Sequence, residues 1–211
     1  AKALCARSIE ILTLLTAKDA ENTEWQRTLN EAKTFSLSMI PASAWTAGHD
    51  AELSRLHENA ASLYEQDKSN ASFRTNLAQV QMEQARRGRM AGKTATAIDA
   101  AKSAHALMDE LFRSTDFSPI TLTELTLSAE LLGSVLAADG DREAAERVWK
   151  EAAALLDKQT IRIFDYHPVR RMLAVDLGQS AKAGEIEPIL LKAGYRDPRM
   201  LPATTPSGTV R

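Results

Sequence analysis

The sequence predicts an all-α protein in which antiparallel helix pairs, about nine helices in all, stack in series as an irregular superhelix. Three observations carry this. Residues 128–157, SAELLGSVLAADGDREAAERVWKEAAALLD, read as two short helices folded back on each other. The opening Asp19-x-x-Asn22-x-x-Trp25-x-x-x-Leu29 returns as Asp67-x-x-Asn70-x-x-Phe73-x-x-x-Leu77, offset by 48 residues, an internal repeat longer than a minimal helix pair. Residues are 44% hydrophobic but only 5% aromatic, so alanine and leucine supply the apolar surface; small residues bring helix axes together.

Taken in order, helices are expected near 2–18, 22–39, 49–66, 70–87, 94–113, 120–138, 141–157, 168–177 and 185–193, forming one domain over residues 1–200. The first carries Leu4, Cys5, Ser8, Ile9, Leu12 and Leu15 as one wide stripe. It starts uncapped and without an initiator methionine, as the second helix of a broken pair in a fragment or processed product would. Asn22 or Thr23 caps the second helix, with acids in the first turn to suit the dipole. That helix ends before Pro41, and residues 40–48, IPASAWTAG, form a loop in which Trp45 covers the end of the hairpin. Leu53, Leu56, Ala60 and Leu63 mark the buried stripe of the third helix. The fourth has a weaker apolar face, Leu77, Val80, Gln81 and Gln84, and is expected to break at Arg86-Arg87-Gly88-Arg89. The fifth buries Ala97, Ile98, Ala101, Ala104, Leu107, Met108 and Leu111. Asp116–Pro119 punctuates the chain before the sixth. Residues 161–167 are read as an extended linker, since a single strand has no partner. Pro168 suits a first helical turn, Gly178 and Gly194 suit helix ends, and residues 201–211 should be a disordered tail.

In the hairpin, Leu125, Ala129, Leu132 and Leu136 share a face, and Gly133 sits inside the helix. A mid-helix glycine costs about 1 kcal/mol against alanine, so it needs a close neighbour. Gly140 and Asp141 suit a left-handed C-cap and the next N-cap, and so short a link forces antiparallel packing. The order Leu132, Gly133, Leu136, turn, Ala145, Trp149, Ala152 resembles the tetratricopeptide repeat, whose period is about 34 residues. It departs at Ala129, where the family has a large aromatic, and at Asp157, where it has proline. The resemblance implies a right-handed superhelix. The Asp19 and Asp67 openings and the ending Gly194-Tyr195-Arg196-Asp197-Pro198 resemble the C-terminal tetratricopeptide-like region of bacterial receptor-like proteins. In these, a kinase or winged-helix output domain is joined through a membrane span to the helical region. This implies a periplasmic location if the chain is so attached, and a cytoplasmic one otherwise.

The chemistry-bearing residues are sparse. Lys+Arg 26 against Asp+Glu 28 leaves a net charge of −2, with no basic run to track nucleic acid. No apolar run is expected to reach the ~18 residues of a membrane span. The lone Cys5 excludes an internal disulfide and a cysteine zinc cluster, and reads as a packed thiol. Gly92-Lys93-Thr94 lacks the earlier glycine of a phosphate-binding loop and reads as a helix start. His49, His57, His105 and His167 are scattered without metal-ligand spacing, so neither a metal nor a cofactor is expected. Glu143–Arg147 and Glu146–Lys150 read as surface pairs.

What remains is surface recognition. In stacked helix pairs the first helices line the concave face. This register places Arg27 and Glu31, then Thr75, Gln79 and Glu83, then Glu130 and Ser134, toward a groove for a protein or peptide. The expected function is a non-catalytic interaction module, sensory or scaffolding, within a larger bacterial signalling protein. Self-association is left open. The alternatives are an all-α enzyme with a site built from dispersed acids and histidines, or a dimerisation segment.

Overall fold

A computed structural model describes residues 2–114, 118–158 and 166–195. The linker expected at 161–167 falls largely outside these residues, as do the tail at 201–211 and part of the punctuation at Asp116–Pro119. Among the described residues the chain is all helical, with nine α-helices: α1 Lys2–Lys18, α2 Thr23–Ser38, α3 Ala47–Gln66, α4 Ala71–Met90, α5 Thr94–Ser114, α6 Pro119–Ala138, α7 Arg142–Asp157, α8 Tyr166–Asp176 and α9 Ser180–Lys192. A 3-10 turn, Ala42–Ala44, precedes α3.

The caps form as expected. Asn22 Oδ1 accepts from Trp25 N at 3.1 Å, Asn70 Oδ1 from Phe73 N at 3.2 Å, and Asp141 Oδ1 from Ala144 N at 3.0 Å. Ser118 adds a third member to the repeated series. Its hydroxyl accepts from Thr121 N at 3.5 Å, and Asn22, Asn70 and Ser118 are spaced by 48 residues. The helices that follow, α2, α4 and α6, start at the same interval.

The period runs through the core. Leu53, Ala101 and Trp149 stand at 48-residue steps and are all buried, as are Leu56, Ala104 and Ala152, and Ala60, Met108 and Leu156. On the preceding helices the buried series is Leu37, Ala85, Gly133. Side-chain volume is therefore redistributed from unit to unit at fixed positions, which keeps the interior close-packed. The extreme case is Gly133, where a β-carbon would lie 2.6 Å from Trp149 Cδ1. The space that the sequence reserves for a neighbouring element is filled by an indole. Its Nε1 donates to Glu130 O at 3.1 Å.

Several expectations are corrected. The fourth helix does not break at Arg86–Arg89 but continues to Met90. Gly88 is there for contact: a β-carbon would lie 3.1 Å from Ala97 Cβ. Gly92, with φ +71°, makes the turn. The weak apolar face of α4 belongs to the most enclosed helix, because Arg74, Asn76, Gln81, Glu83 and Arg87 are buried along with its apolar residues. Asn30 Nδ2, for instance, donates to Asn76 Oδ1 at 2.9 Å and to Leu56 O at 3.0 Å. The eighth helix starts at Tyr166, not Pro168, and the ninth at Ser180, not 185, with Pro188 inside it. Finally, α6 is long and apolar enough by length and composition to cross a membrane, yet 56% of that window is buried, so its hydropathy is accounted for by core packing.

The helices pack in two layers. Successive helices touch, and α2 also packs on α4, α4 on α6, and α6 on α8. Among the described residues the odd-numbered helices make no comparable run of contacts with one another. The cavities lie in their gaps. One of about 400 Å³ is lined by Ala6, Met39, Pro41 and His49, one of about 460 Å³ by Trp45, Leu53, Arg87 and Thr96, and one of about 60 Å³ by His105, Asp109, Val148 and Glu151.

Candidate functional site

The even-numbered layer carries the residues that the sequence assigns to a groove. Arg27, Glu31, Thr75, Gln79, Glu130 and Ser134 are all half-buried, neither core nor fully solvated. Each is placed by the turn spacing of its helix, one face away from the packed stripe.

On α2, Arg27 Nε lies 2.5 Å from Glu24, and the same guanidinium also pairs with Glu31. On α4, the Thr75 hydroxyl turns back to Ala71 O at 2.9 Å. Gln79 reaches across to α6, its Nε2 donating to Glu124 Oε1 at 3.3 Å. Glu83 is the exception. It is 1% exposed and is held at 2.6 Å by Arg87 and 3.4 Å by Arg86. Arg87 also donates to Leu37 O at 2.8 Å and lies 3.8 Å from the Trp45 ring. Glu83 thus anchors a buried network joining α4 to the end of α2 and to the loop before α3, and it offers nothing to a ligand. On α6, Ser134 Oγ donates to Glu130 Oε1 at 2.8 Å.

Sequence reasoning missed two further residues on this layer. Burial pushes the Glu124 carboxyl up, with Glu31 adding to the rise and Gln79 and Arg86 opposing it. Asp176, at the end of α8, is pushed up to about 7 by burial and by Glu130, against Arg142 and Arg89. Its Oδ2 is buried without a hydrogen-bond partner. Both interactions skip a helix: Glu31 on α2 acts on α6, and Arg89 on α4 acts on α8. Glu124 thus senses Glu31 and Arg86, and Asp176 senses Glu130, Arg142 and Arg89. The missed signal for Glu124 was the 48-residue step itself, which aligns it with Asn76 on the enclosed side of α4.

The titratable groups elsewhere form smaller arrangements. His105 Nδ1 lies 3.1 Å from Ser128 Oγ, with Asp109 and Glu151 lining the same cavity. Burial lowers the His105 pKa, while Asp109 and Glu151 oppose the fall. The serine is 1% exposed and donates to Leu125 O at 2.7 Å, and about 60 Å³ has room for water but not for a substrate. His49 closes a capping box with Thr46. Cys5 is half-buried, with Sγ 3.6 Å from Ala32 O. No group of three metal-ligating side chains occurs among the described residues.

Comparison with protein-family models, with curated protein sequences and with solved structures finds no match to the chain.

Proposed function

We propose that this chain is a non-catalytic interaction module, a tetratricopeptide-like helical repeat that holds an extended protein or peptide segment along the face of α2, α4, α6 and α8. In its full context it serves as a sensory or scaffolding region of a larger bacterial signalling protein. The observation that carries the reading is the half-burial of six of the seven assigned residues on one contacted layer. We take this face as the concave one, because a layer in contact on one side and gapped on the other bends toward the contacted side. Half-buried polar side chains on a concave face are what an extended segment needs: donors and acceptors with water already partly removed.

The field on that face sets the partner's chemistry. Glu124 and Asp176 are partly desolvated carboxyls, and neither has a cation as hydrogen-bond partner. A lysine or arginine of the ligand supplies what each lacks, so the segment is basic. The test is fluorescence anisotropy with extended basic, neutral and acidic peptides. Basic peptides should bind, more weakly at higher salt, and Glu124→Gln with Asp176→Asn should weaken them roughly tenfold. Binding by none of the peptides, or binding indifferent to both substitutions, overturns the reading.

A further inference from the structure

We propose that α1 pairs antiparallel with α1 of a second copy about a two-fold axis, so that the chain is a weak, reversible dimer. No described side chain of α1 is buried; Cys5, Ile9, Leu12 and Leu15 are half-buried, with Cys5 reaching α2, and they leave a second stripe uncovered. That stripe is Leu4, Arg7, Ile11, Leu14 and Lys18, alternating by three and four residues along the helix. Leu4 is 78%, Ile11 43% and Leu14 60% exposed. The alternation is the seam of a two-helix coiled coil.

In later units the same positions carry packed apolar side chains. At the 48-residue period, Leu4 and Ile11 correspond to Ala100 and Leu107 two units on, and to Val148 and Leu155 three units on. All four are packed against the core. One unit on they are the polar Glu52 and Asn59, and in α1 they are apolar and exposed.

Charge selects the occupant and its direction. Parallel pairing would set Arg7 against Arg7 and Lys18 against Lys18. Antiparallel pairing sets Leu4 against Leu14 of the second copy and Arg7 beside Ile11, within reach of Glu10 of the second copy. Arg7 and Glu10, now 2.7 Å apart within one helix, would exchange partners across the axis without loss. The surface is therefore its own complement, which is the condition for a closed two-fold interface. A helix of 17 residues buries less than the ~1,600 Å² of a standard interface, which fits a weak, reversible contact.

Sedimentation of the whole chain from about 1 µM to about 500 µM tests this. We expect the mass to rise from monomer to dimer and stop there. Ile11→Glu with Leu14→Glu should raise the dissociation constant at least tenfold with an unchanged far-ultraviolet spectrum, because neither side chain supports the fold. Arg7→Glu should weaken the dimer, and Arg7→Glu with Glu10→Arg should restore it. A monomer at every concentration assigns the face to some other protein and overturns the proposal. So does a dimer indifferent to these substitutions. Growth beyond the dimer overturns it in favour of head-to-tail stacking, with the exposed Val175, Ile189 and Leu191 of the opposite end as the second surface.

Discussion

At the scale of single residues, Gly133 and Asp176 test opposite parts of the molecule. Gly133 has no room for a methyl group, because the Trp149 indole occupies its place and is hydrogen-bonded there. Gly133→Ala gains about 1 kcal/mol of helix propensity but forces the indole out, and overpacking of this kind costs about 1–3 kcal/mol. The expected result is a lower urea midpoint, and Gly133→Ala with Trp149→Leu should recover part of it. Glycine inside an otherwise regular helical pattern was legible as a packing signal; that its partner is the Trp149 side chain was not. Asp176 was not legible at all, because its carboxyl is shifted by burial and by Glu130, residues far apart in the chain. Its pKa in the fold is about 7, against about 3.9 unfolded. Between these values the folded state binds more protons than the unfolded state, so stability falls as pH rises through the interval. A basic peptide binds the ionised form, so affinity rises over the same interval. Asp176→Asn should flatten both profiles, thermal midpoint and anisotropy, between pH 5 and pH 8. Profiles that keep their slope in the variant would place the titrating group elsewhere.

At the scale of elements, the periodicity of apolar residues located every described helix, and Asn22, Asn70 and Asp141 placed three starts correctly. The misreading of α4 has a physical cause. Arg86–Arg89 resembles an exposed, charged helix end, and local propensity offers no hint that Arg87 is buried. Its compensation comes from Glu83 one turn earlier, from Leu37 O and from the Trp45 ring. The sequence places the ninth helix at 185–193, yet it begins at Ser180 and carries Pro188 well inside. The α4 network makes a sharp prediction. Glu83→Ala leaves a buried guanidinium without its carboxylate, and breaking a buried pair in this way costs about 3–5 kcal/mol. Glu83→Leu with Arg87→Met removes both charges and should cost far less, as read from urea unfolding. If the two variants are equally destabilised, the pair is incidental and the loss is one of packing. Glu83 is itself enclosed, so any change in peptide affinity while the fold persists should come through Arg86, which pairs with Glu83 and also acts on Glu124.

At the scale of the whole molecule, two core clusters divide the stack. The larger runs from α4 through α8, the smaller joins α2, α3 and α4, and the partly buried Leu107 packs against both. In a linear array each unit is held only by its neighbours, so stability is graded along it. The contact between α4 and α5 is the most extensive, with Gly88 and Ala97 bringing the two backbones together. Among the described helices α1 packs on α2 and α9 on α8, and no described side chain of α1 is buried. Amide hydrogen exchange should therefore rank the helices, with α4–α7 protected to the global limit, α2 and α3 less, and α1 least. Protection of α1 should rise with protein concentration while that of α4–α7 stays fixed, because pairing through α1 covers its exposed Leu4, Ile11 and Leu14. Basic peptide should instead raise protection on α2, α4, α6 and α8 and leave α1 unchanged. The two ligands thus have separate signatures in one experiment. Uniform protection along the chain would mean that the units do not behave as a linear array, and the argument from the contacted layer to a concave binding face would lose its basis.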